Sequence, residues 1–172
     1  MTERFSADTY VRYASSGVCR IEEIKTMSMA GMGKAREYCI LRPTDNTASV
    51  IYIPTDNEAM CSGMIPVLTK EEIDGIIRST GEDAMPWIND RKERAQTCKD
   101  ILKRCDRKEL LQLVGCMFLR KSELAAEGRR LASSDEMILR QAEWLVNNEL
   151  SFVLGIEESQ VGDYIHNLLE KE

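Results

Sequence analysis

Trp87 and the cations behind it are the residues of this chain whose types and spacing could do chemistry. The tryptophan follows a run of helix breakers, residues 81–86, and opens a predicted charged helix. The cations on that helix are Arg91, Lys92, Arg94 and Lys99. An aromatic side chain can wedge beside a base step in the minor groove of DNA while cations hold the adjacent phosphates. Alternatively, Trp87 fastens the helix start to neighbouring structure; the residue alone favours this, since Trp is highly buried on average.

Charge is unevenly distributed along the chain. The net charge of −6 argues against a protein that coats nucleic acid non-specifically. Residues 87–130 nevertheless carry 12 Lys/Arg against 7 Asp/Glu, whereas residues 131–172 carry 2 against 9. A charged helix is usually a solvated face. A local basic patch on an acidic protein also suits a DNA contact that is weak alone and depends on a partner.

Catalytic and ligand-binding motifs are missing from the sequence. There is no glycine-rich phosphate loop, no nucleophile elbow and no zinc-protease motif. The six cysteines are scattered without a C-x-x-C pair, which favours reduced, partly buried thiols, and the single His166 has no partners at metal-ligand spacing. We therefore predict a protein that is not an enzyme and has no cofactor, metal or small-molecule substrate.

The sequence also bears on location. No apolar stretch approaches the roughly 20 residues that a membrane span needs, and the residues that begin the chain lack the apolar core of a signal peptide. The sequence therefore predicts a cytoplasmic protein that does not engage the membrane.

Hydrophobic periodicity changes along the chain. Short alternating segments separated by turns predict a strongly bent sheet or small barrel over residues 1–68. Residues 69–86 are predicted to be a helix, started by a capping box at Thr69 and ended at Gly81, followed by a linker. From residue 87 to 172 the apolar period becomes helical, with Asp106 and Ser133 as predicted N-caps.

Several segments of both halves match a known family in order and spacing. They are Val11–Ile24, Arg36–Leu41, Val50–Pro54, Asp106–Leu110, Leu119–Lys121 and Ser134–Met137. In this layout the chain resembles the CarD/CdnL family of bacterial transcription regulators. Trp87 stands where that family places its minor-groove tryptophan. Asn89 and Asp90 replace the arginine pair that many relatives carry there, with Arg91 and Lys92 at the next positions.

The resemblance implies a fold and a pair of partners. It implies an α+β protein, with a small Tudor-like β-barrel followed by an all-α helical domain. The barrel would bind the RNA polymerase β subunit by extending its sheet, and the helices would contact promoter DNA at the upstream edge of the bubble. The edge is expected within Lys25–Met29 or Ala48–Ile53. The polymerase-binding residues would be Lys25, Met27, Val50, Tyr52 and Pro54, with Met27 and Tyr52 at places where some relatives present arginines.

Three functions follow as hypotheses. With the resemblance included, we favour a regulator that modulates open-complex stability, with Trp87 as the wedge and the four cations on phosphates. The rival is a protein-interaction adaptor that uses the Tudor-like module without DNA contact and buries Trp87. A third hypothesis is a redox sensor that uses a reactive pair such as Cys98 and Cys105.

Overall fold

Alternating apolar residues in the first part of the chain form an antiparallel sheet. The computed structural model describes residues 5–28 and 33–170, and the chain divides into two units, Met1–Val67 and Leu68–Glu172. The first unit contains β1 (Tyr10–Tyr13), β2 (Val18–Met27), β3 (Arg36–Pro43), β4 (Ile51–Pro54), a short helix α1 (Glu58–Ser62) and β5 (Met64–Pro66). The strand order is β4-β3-β2-β1-β5, and every neighbouring pair is antiparallel.

A bulge in β2 reconciles its apolar spacing with a strand. The register between β2 and β3 shifts between Ile21 and Glu23. A bulge adds one residue to one strand, so Ile21 and Ile24, three positions apart, both reach the core of this unit. The buried residues of that core are Val11, Cys19, Ile21, Cys39, Leu41, Ile53, Cys61 and Met64.

The sheet of the first unit is open. Within residues 5–28 and 33–67, the two outer strands, β4 and β5, do not pair with each other. They have only four and three residues, and helix α1 packs against both. The α+β class is therefore confirmed, whereas the closed barrel that the resemblance implied is not. Each outer strand ends at a proline, which cannot donate to a further ladder hydrogen bond.

The second unit is helical. It contains α2 (Lys70–Glu82), α3 (Arg91–Arg104), α4 (Arg107–Ala126), α5 (Ser133–Leu154) and α6 (Glu158–Glu170). Helix α2 packs against α4 and α6 and contributes Ile73 and Ile77 to the shared core. In the part of the chain that the structure describes, no helix is both long and apolar enough to cross a membrane.

Helix caps account for most of the boundaries. Thr69 and Glu72 form the predicted capping box, and Asp106 accepts the amide of Glu109 at 3.0 Å. The cap predicted at Ser133 is wrong. Helix α5 begins at Ser133, one residue earlier than predicted, so Ala132 is the N-cap and provides no side-chain cap. Asp135 and Glu136 do not cap the helix because they form ion pairs with Arg94 of α3 and Lys121 of α4.

Gly81 does not end its helix as predicted. Helix α2 continues to Glu82, and a Cβ atom at Gly81 would lie 3.0 Å from Leu169 Cδ2 of α6. The glycine therefore lets α6 approach closely, a packing role that the local sequence does not distinguish from that of a helix breaker.

Candidate functional site

Trp87 lies in an irregular segment between α2 and α3. The indole is half-buried and packs against the core of the helical unit. The helix that was expected to start directly after it begins at Arg91, because Asp90 is the N-cap and accepts the amide of Glu93 at 2.8 Å. Residues 88 and 89 thus extend the Trp87 segment and are not the first turn of a helix.

Two guanidinium groups lie over the Trp87 ring. Arg94 Cζ is 4.5 Å from the ring centroid, and Arg120 Cζ, on α4, is 5.5 Å from it. Both distances are within the range of a cation–π interaction, which contributes about 0.5–2 kcal/mol depending on desolvation. The indole is therefore oriented by α3 and α4 together.

All three nitrogens of the Arg94 guanidinium group donate hydrogen bonds, which fix this side chain. Nε donates to Asp135 Oδ1 at 3.2 Å and Nη2 to Oδ2 at 2.9 Å. Nη1 donates to the backbone carbonyls of Ile88 at 2.8 Å and Asn89 at 3.3 Å. Because Arg94 is only 8% exposed, it is poorly placed to reach a phosphate. We assign it to positioning the Trp87 segment, in place of the phosphate contact expected from the sequence.

The other predicted cations of α3 are exposed. Arg91, Lys92 and Lys99 lie at the surface, and none forms an ion pair within residues 68–170. Lys92 and Lys99 are seven positions apart, so they share a helix face about 10 Å apart along the axis. Arg91 and Lys92 also lie at the positive end of the helix dipole, where each cation costs about 0.3–1 kcal/mol. An anion bound beside these residues would offset that cost.

The first unit presents a free strand edge at β4. The amide of Thr55 donates to the carbonyl of Glu37 at 3.1 Å, so these two residues form a hydrogen-bonded pair. Two positions further along both strands, Ile53 pairs with Cys39 in the same way. Because backbone groups alternate in direction along an antiparallel ladder, the N–H and C=O of Tyr52 point away from β3. In the described part of the first unit, no strand pairs with that outer side of β4.

Side chains distinguish the positions along this edge. Tyr52 is 39% exposed, and its ring meets the buried Tyr38 edge-on at 6.4 Å between centroids. Val50, just before β4, and Pro54, its last residue, are half-buried. The carbonyl of Pro54 accepts the amide of Asn57 at 3.0 Å, so the free edge ends there.

The second expected edge is only partly described. Lys25 and Met27 pair with Tyr38 and Arg36 of β3, while β1 covers β2 only at residues 18–20. Lys25 is exposed and lies 3.6 Å from Glu23. Residue 29, where this expected edge ends, lies outside the described residues.

Sequence reasoning missed Arg120 and Asp135. Both are needed to hold Trp87 and Arg94, yet they lie on α4 and α5, far along the chain. Asp135 carried a local signal, an acid in the first turn of a helix, which indicated a capping role. No local signal links either residue to Trp87, because the contact depends on how three helices pack.

The cysteines do not form a reactive pair. Cys98 and Cys105 are both buried, and α3 ends at Arg104, so Cys105 lies in the left-handed C-cap with φ 53°. Burial, with a smaller contribution from nearby Asp135, raises the pKa of Cys98 to about 11. Burial likewise raises the pKa of Cys19 and of Cys39 to about 11. Thiolate is the nucleophilic form, so we expect Cys98, Cys19 and Cys39 to react slowly near neutral pH.

Thiol titration of the native protein tests this directly. At pH 8 a thiol of pKa 11 is roughly 0.1% ionised, so we expect labelling at least about 100-fold slower than in denaturant. The raised pKa also predicts that any labelling of the folded protein accelerates about tenfold per pH unit up to pH 11. Rapid labelling of Cys98 and Cys105, with a disulfide after mild oxidation, would instead support the redox sensor.

The open sheet of the first unit and its free strand edge indicate a protein-interaction module. A short, exposed edge strand is typical of interaction modules that add a strand from a partner. Residues 5–67 match the CarD-like/TRCF RID domain. This match supports a CarD-like, RNA polymerase-interacting family member, and the matched domain is a non-enzymatic module that interacts with RNA polymerase. A comparison with curated proteins gave no match.

Proposed function

We propose that this protein is a transcription regulator that binds the RNA polymerase β subunit and contacts promoter DNA. The DNA contact would lie at the upstream edge of the bubble and would change the stability of the open complex. The observation that carries the proposal is the state of Trp87: a half-buried indole held by Arg94 and Arg120, with the exposed Arg91 and Lys92 four and five positions along the chain at the start of α3.

The polymerase contact follows from the free edge of β4. A partner strand would bond to the outward backbone groups of Tyr52, so that backbone hydrogen bonds supply affinity and side chains choose the partner. Tyr52, Val50 and Pro54 would contact that strand. Lys25 and Met27 lie on β2, which β3 separates from β4, and would contact polymerase at the other side of the sheet, where β1 leaves β2 uncovered. The match of this unit to an RNA polymerase-interacting domain supports the assignment.

The DNA contact follows from the held indole. At the edge of a bubble one base step has lost its stacking partner, and an aromatic stacked there contributes roughly 1–3 kcal/mol. Arg91, Lys92 and Lys99 would neutralise adjacent phosphates. Three cations give only weak binding at physiological salt, so the polymerase contact is needed to raise the local concentration of DNA at the site.

The adaptor remains a second candidate, favoured by one observation. Trp87 packs against the core of the helical unit, as a residue that fastens an inter-helix segment would. The adaptor needs the sheet edge but no DNA contact, so Arg91, Lys92 and Lys99 would then be solvated surface charges.

The lifetime of open complexes at a ribosomal-type promoter separates the two functions. The regulator should change this lifetime with the cognate polymerase holoenzyme, and the adaptor should bind the enzyme without changing it. Absence of any polymerase binding would reject both functions. Salt dependence adds a check, because phosphate contacts must weaken as the salt concentration rises.

Replacing Tyr52 with proline should weaken polymerase binding tenfold or more. The substitution removes the outward N–H and places a ring where a partner strand would lie, and a charge-neutral hydrogen bond contributes about 0.5–1.5 kcal/mol before any clash. Because that N–H does not bond to β3, proline is tolerated on this edge strand. Affinity for purified core polymerase is the measurement.

Two further variants interpret that result. Tyr52→Ala keeps the backbone donor and should lose less affinity than Tyr52→Pro. Thermal unfolding of both variants should stay near that of the native protein. Equal affinity of Tyr52→Pro and the native protein would show that the outer side of β4 is not the polymerase edge.

A further inference from the structure

A basic pocket lies where α4 ends and α5 begins. Its volume is about 570 Å³. The charged residues that line it are Lys121, Arg129, Arg130, Glu136 and Arg140. Four cations and one acid line the pocket, and Glu127 pairs with Arg129, so the formal surplus is two positive charges. The proposed contact of Trp87 with DNA uses none of these cations.

Ion pairing within the helical unit satisfies these cations only in part. Glu136 lies 3.0 Å from Lys121 and 3.7 Å from Arg140, so one carboxylate serves two cations. Hydrogen bonding to Lys121 holds the pKa of Glu136 below its usual value, so it is ionised at neutral pH. Arg129 reaches Glu127 at 3.1 Å, and Arg130 is exposed with no ion pair among residues 68–170.

The backbone adds positive potential to the same pocket. Ser133, the first residue of α5, lines it, and the N-cap, Ala132, provides no side-chain acceptor for the first amides of that helix. The positive end of this 22-residue helix therefore lies at the pocket, and Asp135 and Glu136 in the first turn offset part of its potential. Guanidinium forks bind phosphate oxygens in a bidentate manner.

We propose that this pocket binds a compact anion that carries two or more phosphate groups. A surplus of two charges exceeds what one monovalent anion would neutralise, and the volume lies within the range of about 300–1,000 Å³ for small-ligand sites. The phosphates could belong to a free polyphosphorylated molecule or to successive positions of a nucleic-acid backbone. Arg130 and Lys121 would bind them directly, and Glu136 would release Lys121 and Arg140 to the ligand.

Calorimetric titration of the full chain with inorganic tripolyphosphate tests the pocket without polymerase or DNA. We expect saturable binding at one site, weakened about tenfold by Arg130→Ala, since tenfold corresponds to the loss of one charge-assisted contact. Lys121→Ala should act similarly. Lys70→Ala is the matched control, because Lys70 is exposed and does not line the pocket. Lys70 lies near the C-terminal half of α5, since neighbouring Leu68 donates its amide to Glu149 there, whereas the pocket lies at the start of α5. Lys70→Ala should change affinity less than twofold.

A second titration identifies the source of the phosphates. In this titration the affinity for duplex DNA is measured at several salt concentrations. If tripolyphosphate does not bind, but Arg130→Ala reduces the salt dependence of the duplex affinity by the equivalent of about one phosphate contact, the ligand is a nucleic-acid backbone. No tripolyphosphate binding and an unchanged salt dependence would overturn the proposal, as would equal losses in Arg130→Ala and Lys70→Ala. The tripolyphosphate result does not depend on Trp87. The pocket can therefore bind phosphate even if the proposed regulatory function is wrong, and the regulatory function can be correct even if the pocket binds no phosphate.

Discussion

Replacing Trp87 with alanine should abolish the effect of this protein on open-complex lifetime while leaving its affinity for polymerase unchanged. In the proposed function the indole supplies the stacking at the bubble edge, whereas the proposed polymerase-binding edge is β4 of the other unit. A stacking contribution of roughly 1–3 kcal/mol corresponds to a change of about 5- to 150-fold in the equilibrium between closed and open complexes. Dissociation of preformed open complexes, followed with a competitor, measures this directly.

Two controls separate stacking from folding. Trp87→Phe keeps an aromatic face and part of the packing, so it should retain an intermediate effect on lifetime. Trp144→Phe alters the other tryptophan, which is half-buried against the same core, and should act like the native protein. Should Trp87→Ala and the native protein give the same lifetime, Trp87 is structural and the adaptor becomes the better account.

Replacing Asp135 with asparagine should strongly destabilise the helical unit. Arg94 and Asp135 side chains are 10% and 6% exposed, and removal of one partner leaves a buried charge uncompensated. Such a loss costs about 3–5 kcal/mol. In a domain of about 100 residues this lowers the melting temperature by on the order of 10 °C or more.

The neighbouring acid is the matched control for this experiment. Glu136→Gln removes a charge one residue away, but the Glu136 side chain is 32% exposed, and exposed pairs contribute about 0–1 kcal/mol. Removing both charges, with Arg94→Met and Asp135→Leu together, should recover part of the stability lost by Asp135→Asn. If Asp135→Asn melts like Glu136→Gln, the buried pair does not hold the site.

The same variants report on the position of Trp87. In a Trp144→Phe background, fluorescence comes from Trp87 alone. Loss of the Arg94 fork frees the carbonyls of Ile88 and Asn89, so we expect Asp135→Asn to shift the emission to the red at temperatures where the protein stays folded. Glu136→Gln should not. A stable Asp135→Asn protein with unshifted emission would show that the fork does not orient the indole.

The sequence by itself determined the features that depend on neighbours a few positions away. Thr69 and Asp106 started their helices as predicted, because a capping side chain acts on amides two or three residues further on. Gly155 ended α5 in the left-handed region, with φ 65°. Alternating and helical periodicity predicted the α+β class, and the N-terminal motifs indicated the CarD-like domain that the match to residues 5–67 supports.

Only the tertiary structure decided which charges of the candidate site are available. Arg91, Lys92, Arg94 and Lys99 are all cations of one helix, and the sequence could not rank them by exposure. Arg94 is withdrawn from the surface by Asp135, 41 positions along the chain, and Trp87 is oriented by Arg120 of another helix. These contacts depend on the rotation and crossing of three packed helices, a property of the whole core that no short stretch of sequence encodes.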